Sequence, residues 1–421
     1  MSELIKEVDK KELFAEASRC LKCKAPRCKK GCPISTDIPA VIDLFLNENE
    51  QEAGRLLFEN NPLSSICSIV CPHESNCCGN CVLGIKKTPI SFYKIEQYIS
   101  GKYISDCKID KPEKNGMKIA VIGAGPAGIS MSIILAQKGF QVTLMEQQDK
   151  IGGVLRYGIP SFRLPKDKVD AYVDVLKKLG VTVKPNCHIG SNLLIEDMFI
   201  DGYDAIFLAV GTAKPNRLGL LGETLGHVHY AVDFLKSPNA YDLGKRVAVI
   251  GAGNVAMDVA RTAVRQNGVE KVILINNRRE EDVTATKKEY AETLEEGVEC
   301  MHLMSVLRIT EGGLIAVDVD AIPGENKIDY EENMLSAHNI EADSVILAIG
   351  QGPASTISEK AQINTTLRGL FAVDENGMTN IPGVFAAGDV VSGPKTVVEA
   401  VAHTKRVAEQ IMRYCFEKKQ K

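Results

Sequence analysis

Nine of the thirteen cysteines fall between Cys20 and Cys81, in two groups. The first is Cys20-x2-Cys23-x4-Cys28-x3-Cys32, followed by Pro33; the second is Cys67-x3-Cys71-x5-Cys77-Cys78-x2-Cys81, with Pro72 after Cys71. Thiolates at such spacing are ligands for soft metals or for iron–sulfur clusters. The first run lies near the bacterial ferredoxin pattern, in which the Cys before Pro serves a different cluster from the first three. Eight thiolates would hold two 4Fe–4S clusters, and Lys22, Lys24, Arg27, Lys29 and Lys30 would offset their negative charge. Zinc is the rival, since it takes C-x2-C pairs, but it needs two evenly split tetrads. A disulfide scaffold belongs to short secreted chains, and this chain has 421 residues.

The remaining chemistry-bearing residues are glycines. Gly123, Ala124, Gly125, Pro126, Ala127 and Gly128 follow an apolar run from Lys118 to Ile122, and Glu146 comes 23 residues after Gly123. A strand, a G-x-G-x-x-G turn, a helix and a terminal acid form a dinucleotide site, with the pyrophosphate at the helix start and the acid on the ribose. The plan repeats 128 residues on, from Gly123 to Gly251, with Gly251, Ala252, Gly253, Asn254, Val255 and Ala256. Here the second strand ends near Asn276, and Asn277, Arg278 and Arg279 follow where an acid would mark a free ribose. Two arginines can pair with a 2′-phosphate, so NADPH is expected, with NADH possible; a solvated strand end is the plainer reading. Near the C-terminus, VFAAGDVV reads as a short strand ending at Gly388-Asp389 and then a helix. Asp389 there either holds the ribityl hydroxyls of a flavin or only caps the helix. A GD element distant from the first glycine unit favours FAD.

These residues need elements to hold them. Ile38, Val41, Ile42, Phe45 and then Leu56 and Leu57 recur at helical spacing, and Asn61-Pro62 breaks the pattern. The charged segment from Ile109 to Gly116 reads as a linker. The expected fold is therefore α/β: a helical iron–sulfur domain over 1–115, then two Rossmann-like units. An FAD domain covers 116–240 and 345–421, and an NAD(P)H domain at 241–344 is inserted in it. Fifty basic and 54 acidic residues leave a net charge of −4, which offers no field for nucleic acid or anionic lipid. No apolar run approaches the ~18 residues of a membrane span, and the charged start is unlike a secretory signal. A complete, cytoplasmic protein is expected.

Taken together, the motifs resemble the glutamate synthase small-subunit family, whose relatives include the electron-input half of dihydropyrimidine dehydrogenase and the large subunit of NADH-dependent ferredoxin:NADP oxidoreductase. The resemblance spans nearly the whole chain, through EASRCLKCKAPRCKKGCP, ENNPLSSICSIVCP, GGVLRYGIPSFRLPK, VAVIGAGNVAMDVARTA, VILAIGQGP and VFAAGDVV. It implies that Cys20, Cys23, Cys28 and Cys81 hold one cluster. Cys32, Cys71 and Cys77 hold the other, with Glu96 as an oxygen ligand unless Cys67 or Cys78 takes its place. It also implies that Gly153, Val154 and Arg163 line the flavin pocket and that Thr396 lies near the flavin phosphates. The family commonly has two basic residues at the second unit's strand end; Asn277 replaces the first, which weakens the NADPH expectation. The implied activity is electron transfer from NAD(P)H through FAD and two clusters to a larger catalytic subunit or a ferredoxin-type acceptor, without a catalytic side chain. Pyrimidine reduction, ferredoxin-linked transhydrogenation and a non-enzymatic redox sensor are the alternatives.

Overall fold

The computed structural model describes residues 9–106, 109, 112–191, 193–323 and 328–420; Cys107, the first eight residues and part of the expected linker lie outside the described residues. The chain divides into two compact units, one of Met1–Arg156, Ser161–Thr212 and Pro353–Lys421, the other of Tyr157–Pro160 and Ala213–Gly352.

The first unit begins with helices. Ile38–Leu46 forms because Ile38, Val41, Ile42 and Phe45 share one face, all buried, while the Asp37 side chain caps the start by accepting from Ala40 N–H. Glu50–Asn60 is capped by Asn49 and stops at Asn61-Pro62, where the proline has no N–H to give. With Leu13, Ile95 and Ile99 these helices make a small core, and Cys20, Cys28, Cys77 and Cys81 pack against its edge. The helix Phe92–Asp106 buries Phe92, Ile95, Ile99 and Tyr103, together with one carboxylate, Glu96.

The same unit carries a parallel sheet in the order Val384–Ala386, Ala205–Leu208, Lys118–Ile122, Gln141–Met145, Thr182–Lys184. Lys118–Ile122 is buried from Ile119 onward, as a central strand covered on both faces must be. The second unit repeats this order with Val228–Tyr230, Ser344–Leu347, Arg246–Ile250, Lys271–Ile275 and Glu299–Met301, again all parallel. Val228–Tyr230 and Ser344–Leu347 both belong to this sheet, so the second unit opens before residue 241 and runs past 344. It also holds an antiparallel sheet, which the sequence reading does not include. Its strands are Met304–Thr310, Gly313–Pro323, Ile328–Glu332 and His338–Glu341.

The helix after the second glycine loop, Asn254–Val264, is fixed by one buried arginine. Arg261 pairs with Glu289 at 2.9 Å, Glu292 at 2.8 Å and Glu296 at 2.8 Å, all on or just beyond the helix Lys287–Glu295. Removing one partner of a buried ion cluster leaves uncompensated charge inside the fold. Arg261→Met is expected to cost about 3 kcal/mol of stability, read as a lowered apparent Tm of the purified protein.

Candidate functional site

Cys20, Cys23, Cys28, Cys77 and Cys81 line one pocket, walled by Ile38, Pro39, Ile42, Ile90 and Phe92. Cys20 leaves the helix Lys10–Ser18 with its N–H on Ala17 O, and Cys28 sits in the short helix Arg27–Lys30. Burial pushes the Cys28 thiol up to about 11, and the charges that Cys81, Cys20 and Cys23 would carry raise it further, against the pull of Lys29 N–H. Cys20 is raised for the same first cause. Burial of Cys20 and Cys28 against apolar walls disfavours their ionisation unless a positive centre lies beside them, a condition that a metal cluster would meet. Among the described residues no three such donors close on a single-ion site, and the described cysteines are free thiols.

Cys77 also belongs to a second group, with Cys71, Cys32 and Glu96. Cys71 is raised by its hydrogen bond with Cys67 and by burial, and it feels the charges of Glu96 and Cys77. Cys77 is raised by its bond with Cys78 and by burial, and it feels Glu96 and Cys32. Glu96 thus faces both thiols, whereas Cys78 points its thiol at Ile90 O, 3.4 Å away. Burial pushes the Glu96 carboxyl up to about 7, offset in part by Ser64, whose hydroxyl donates to Glu96 Oε1 at 2.8 Å. Ser64 also meets Ser100 at 2.8 Å. Among the described residues no cation pairs with this buried acid, a costly arrangement for a carboxylate with no metal to meet. Ser100 stands one turn on from Glu96 in the same helix, whereas only the packing of a second helix, Ser64–Val70, brings Ser64 to the carboxyl.

The first glycine loop is shaped for a close approach. A Cβ on Gly128 would lie 1.8 Å from Gly123 O, so helix and strand meet only over glycine. Gly153, at φ +52°, brings its backbone so near Gly125 that a Cβ would sit 2.7 Å from Gly125 Cα. Glu146 is buried at the end of its strand; Oε2 accepts from Ala124 N–H at 2.7 Å and Oε1 from Gln148 N–H at 2.9 Å. Val154 is 41% exposed at the start of a short helix, and Arg163 is half-buried. Asp389 does not cap its helix: Gly388 occupies that place, and Asp389 Oδ1 accepts from Lys395 N–H at 3.3 Å. Burial pushes Asp389 up to about 6. Thr396 starts the helix Val397–Gln420 with a reciprocal cap, its Oγ1 donating to Glu399 Oε2 at 2.6 Å and accepting from Glu399 N–H at 3.4 Å.

In the second unit Ala252 O accepts from Thr284 and Ala285 N–H, and Asn254 Oδ1 accepts from Thr286 N–H at 2.9 Å, so residues 284–286 brace the glycine loop. Val255 is 37% exposed beside it. Asn276 is the counterpart of Glu146. Each is the first residue after its strand, each gives its N–H to the third strand, and each side chain accepts the N–H two residues on. Asn276 Nδ2 meets His302 Nδ1 at 3.2 Å, and His302 Nε2 meets Tyr290 Oη at 2.9 Å. The two arginines differ. Arg279 pairs with Glu281 at 3.0 Å and Asp282 at 2.8 Å, whereas Arg278 is exposed and makes no ion pair among the described residues. Asn277 is exposed.

Comparison with known proteins agrees with this arrangement. The family described as pyridine nucleotide-disulphide oxidoreductase matches residues 85–191 and 117–404, and the one described as dihydropyrimidine dehydrogenase domain II, 4Fe-4S cluster, matches residues 1–107. The chain is 31% identical to the glutamate synthase [NADPH] small chain of Escherichia coli over 95% of this chain and 91% of that one. It is 34% identical to the NAD-dependent dihydropyrimidine dehydrogenase subunit PreT of Salmonella typhimurium, over 95% and 93%. In fold it is similar to Mycobacterium tuberculosis FprA in complex with NADPH, with a TM-score of 0.63 at 17% identity, covering 72% of this chain and 85% of that one.

The two thiol groups predict separable losses. Cys28→Ala should remove about half of the iron and acid-labile sulfide of anaerobically purified protein, while Cys67→Ala leaves both unchanged.

Proposed function

We propose a role from one premise: the chain belongs to the pyridine nucleotide-disulphide oxidoreductase family, in the group that includes glutamate synthase small chains. It is an NAD(P)H-dependent flavin and iron–sulfur oxidoreductase subunit, and its reading here is the input half of a larger enzyme. The observation that carries this reading is a pocket lined by five thiols, one of which, Cys77, also neighbours Glu96 and Cys32, in one chain with two dinucleotide units.

In this reading Cys20, Cys23, Cys28 and Cys81 hold one 4Fe–4S cluster, and Cys32, Cys71, Cys77 and Glu96 hold the other. When bound, the flavin accepts hydride from the nicotinamide and the clusters carry its electrons onward one at a time. The chain's own residues bind and orient. The loop from Gly123 to Gly128 takes the FAD pyrophosphate against the helix start, with Glu146 on the adenosine ribose. Asp389, half-buried with a backbone donor on its Oδ1, has capacity left for ribityl hydroxyls. Gly153, Val154 and Arg163 adjoin the flavin, and the helix capped by Thr396 turns its positive end to the phosphate. The loop from Gly251 to Val255 takes the pyrophosphate of NADPH. Asn276 supports NADPH over NADH because a neutral amide, unlike Glu146, does not repel a 2′-phosphate, and Arg278 is free to pair with that phosphate.

The partner is read as a protein that takes electrons at the head. Lys24, Arg27, Lys30, Lys86 and Lys87 are exposed, make no ion pairs among the described residues, and flank the residues of the cysteine-lined pocket together with exposed Leu21 and Ile85. Such a rim suits an acidic protein surface. Among the described residues no helix is long and apolar enough to cross a membrane.

Anaerobic addition of NADPH to purified protein should bleach its visible flavin and cluster absorbance; absorbance that NADPH and NADH both leave intact would end the proposal. Arg278→Ala should raise the KM for NADPH about tenfold or more and leave that for NADH near its starting value, while Arg279→Ala changes the ratio less.

A further inference from the structure

Cys32 stands at the end of a hydrogen-bonded line that begins on the C-terminal helix. Lys405, on Val397–Gln420, donates from Nζ to Asn60 Oδ1 at 2.8 Å and to the Asn60 carbonyl at 3.2 Å. Asn60 Nδ2 donates to Thr36 Oγ1 at 3.2 Å and to Ile34 O at 3.3 Å. Thr36 Oγ1 lies 3.4 Å from Cys32 Sγ.

The chemistry of the groups fixes the direction of the line. A lysine only donates, so Asn60 must turn its amide oxygen to Lys405 and its NH₂ to Thr36. The Thr36 oxygen thereby accepts, and its own proton is left to point at Cys32 once that thiol is ionised as a ligand. Thr36 is 4% exposed, so water competes little for that proton. Lys405 is half-buried and makes no ion pair among the described residues; Glu409, one turn along its helix, contributes its field without pairing. The positive charge is therefore available to the line.

We propose that Lys405, Asn60 and Thr36 are positioning residues that raise the reduction potential of the cluster held by Cys32, by aiming a hydrogen bond and a positive charge at that thiolate. The proposal rests on the two-cluster reading above. A cluster gains one negative charge when it takes up an electron, and a donor or cation beside its sulfur stabilises that reduced form. A second role is available to the same contacts, that of stapling the C-terminal helix to the helix Glu50–Asn60, and a stability measurement alone would not separate the two.

The test is an EPR-monitored redox titration of the purified, cluster-loaded protein, reduced stepwise with dithionite in the presence of mediators. Thr36→Val should make the midpoint of one cluster more negative, by about tenfold or more in its one-electron equilibrium. Lys405→Met should shift the same midpoint in the same direction by less. Thr36→Ser should keep the wild-type value, and the other cluster should stay where it is in every variant. Unchanged midpoints in Thr36→Val and Lys405→Met, or equal shifts of both clusters, would overturn the proposal, as would a Lys405→Met protein that loses thermal stability without a shift. If Thr36→Val does not fold, Lys405→Met decides. A wild-type protein with no reducible cluster signal would instead overturn the two-cluster reading on which the proposal rests.

Discussion

Negative charge confined in an apolar head is the constraint on which the rest of this structure depends. Seven thiols and the Glu96 carboxyl are drawn into two groups at the edge of a core built from a few short helices. Burial raises the Cys20 and Cys28 thiols, and hydrogen bonds from neighbouring thiols together with burial raise Cys71 and Cys77. Ligation reverses that balance, because the metal supplies the charge that water no longer can, and the binding free energy becomes folding free energy for the head.

The two nucleotide units show how little separates one cofactor from another when the scaffold is the same. Their sheets have the same strand order, and their glycine loops open the same kind of helix. At the end of the second strand, Glu146 and Asn276 make matching backbone contacts yet differ by one charge. An acid can accept from ribose hydroxyls and repels phosphate, while the Asn276 amide, which meets His302 (itself bonded to Tyr290), is neutral. One difference in charge thus sits on a side chain that makes the same backbone contacts in both places.

Much of this organisation is legible in the chain itself. The strand from Lys118 to Ile122 and its repeat from Arg246 to Ile250 announce themselves as apolar runs before glycine turns, because local sterics and period decide them. The helix Ile38–Leu46 follows from the spacing of four apolar residues. The antiparallel sheet between Met304 and Glu341 did not stand out, since pairings between distant segments leave only a weak mark in any one of them. Asp389 also shows the limit: the sequence left open whether it caps its helix, and the position of Gly388 decides that it does not.

What the sequence alone determined is the inventory: which donors exist, which glycines permit a phosphate to approach, and that two dinucleotide units lie in one chain. Only the tertiary structure decided which of them act on one another. Arg278 and Arg279 are indistinguishable as letters, yet one is spent on Glu281 and Asp282 while the other is not. Cys81 joins three cysteines over fifty residues away, and Lys405 meets Asn60 from the far end of the chain. The reason is physical: an element forms from forces that act over a few neighbours, whereas burial, charge pairing and hydrogen-bond direction depend on atoms that meet only after the chain has packed.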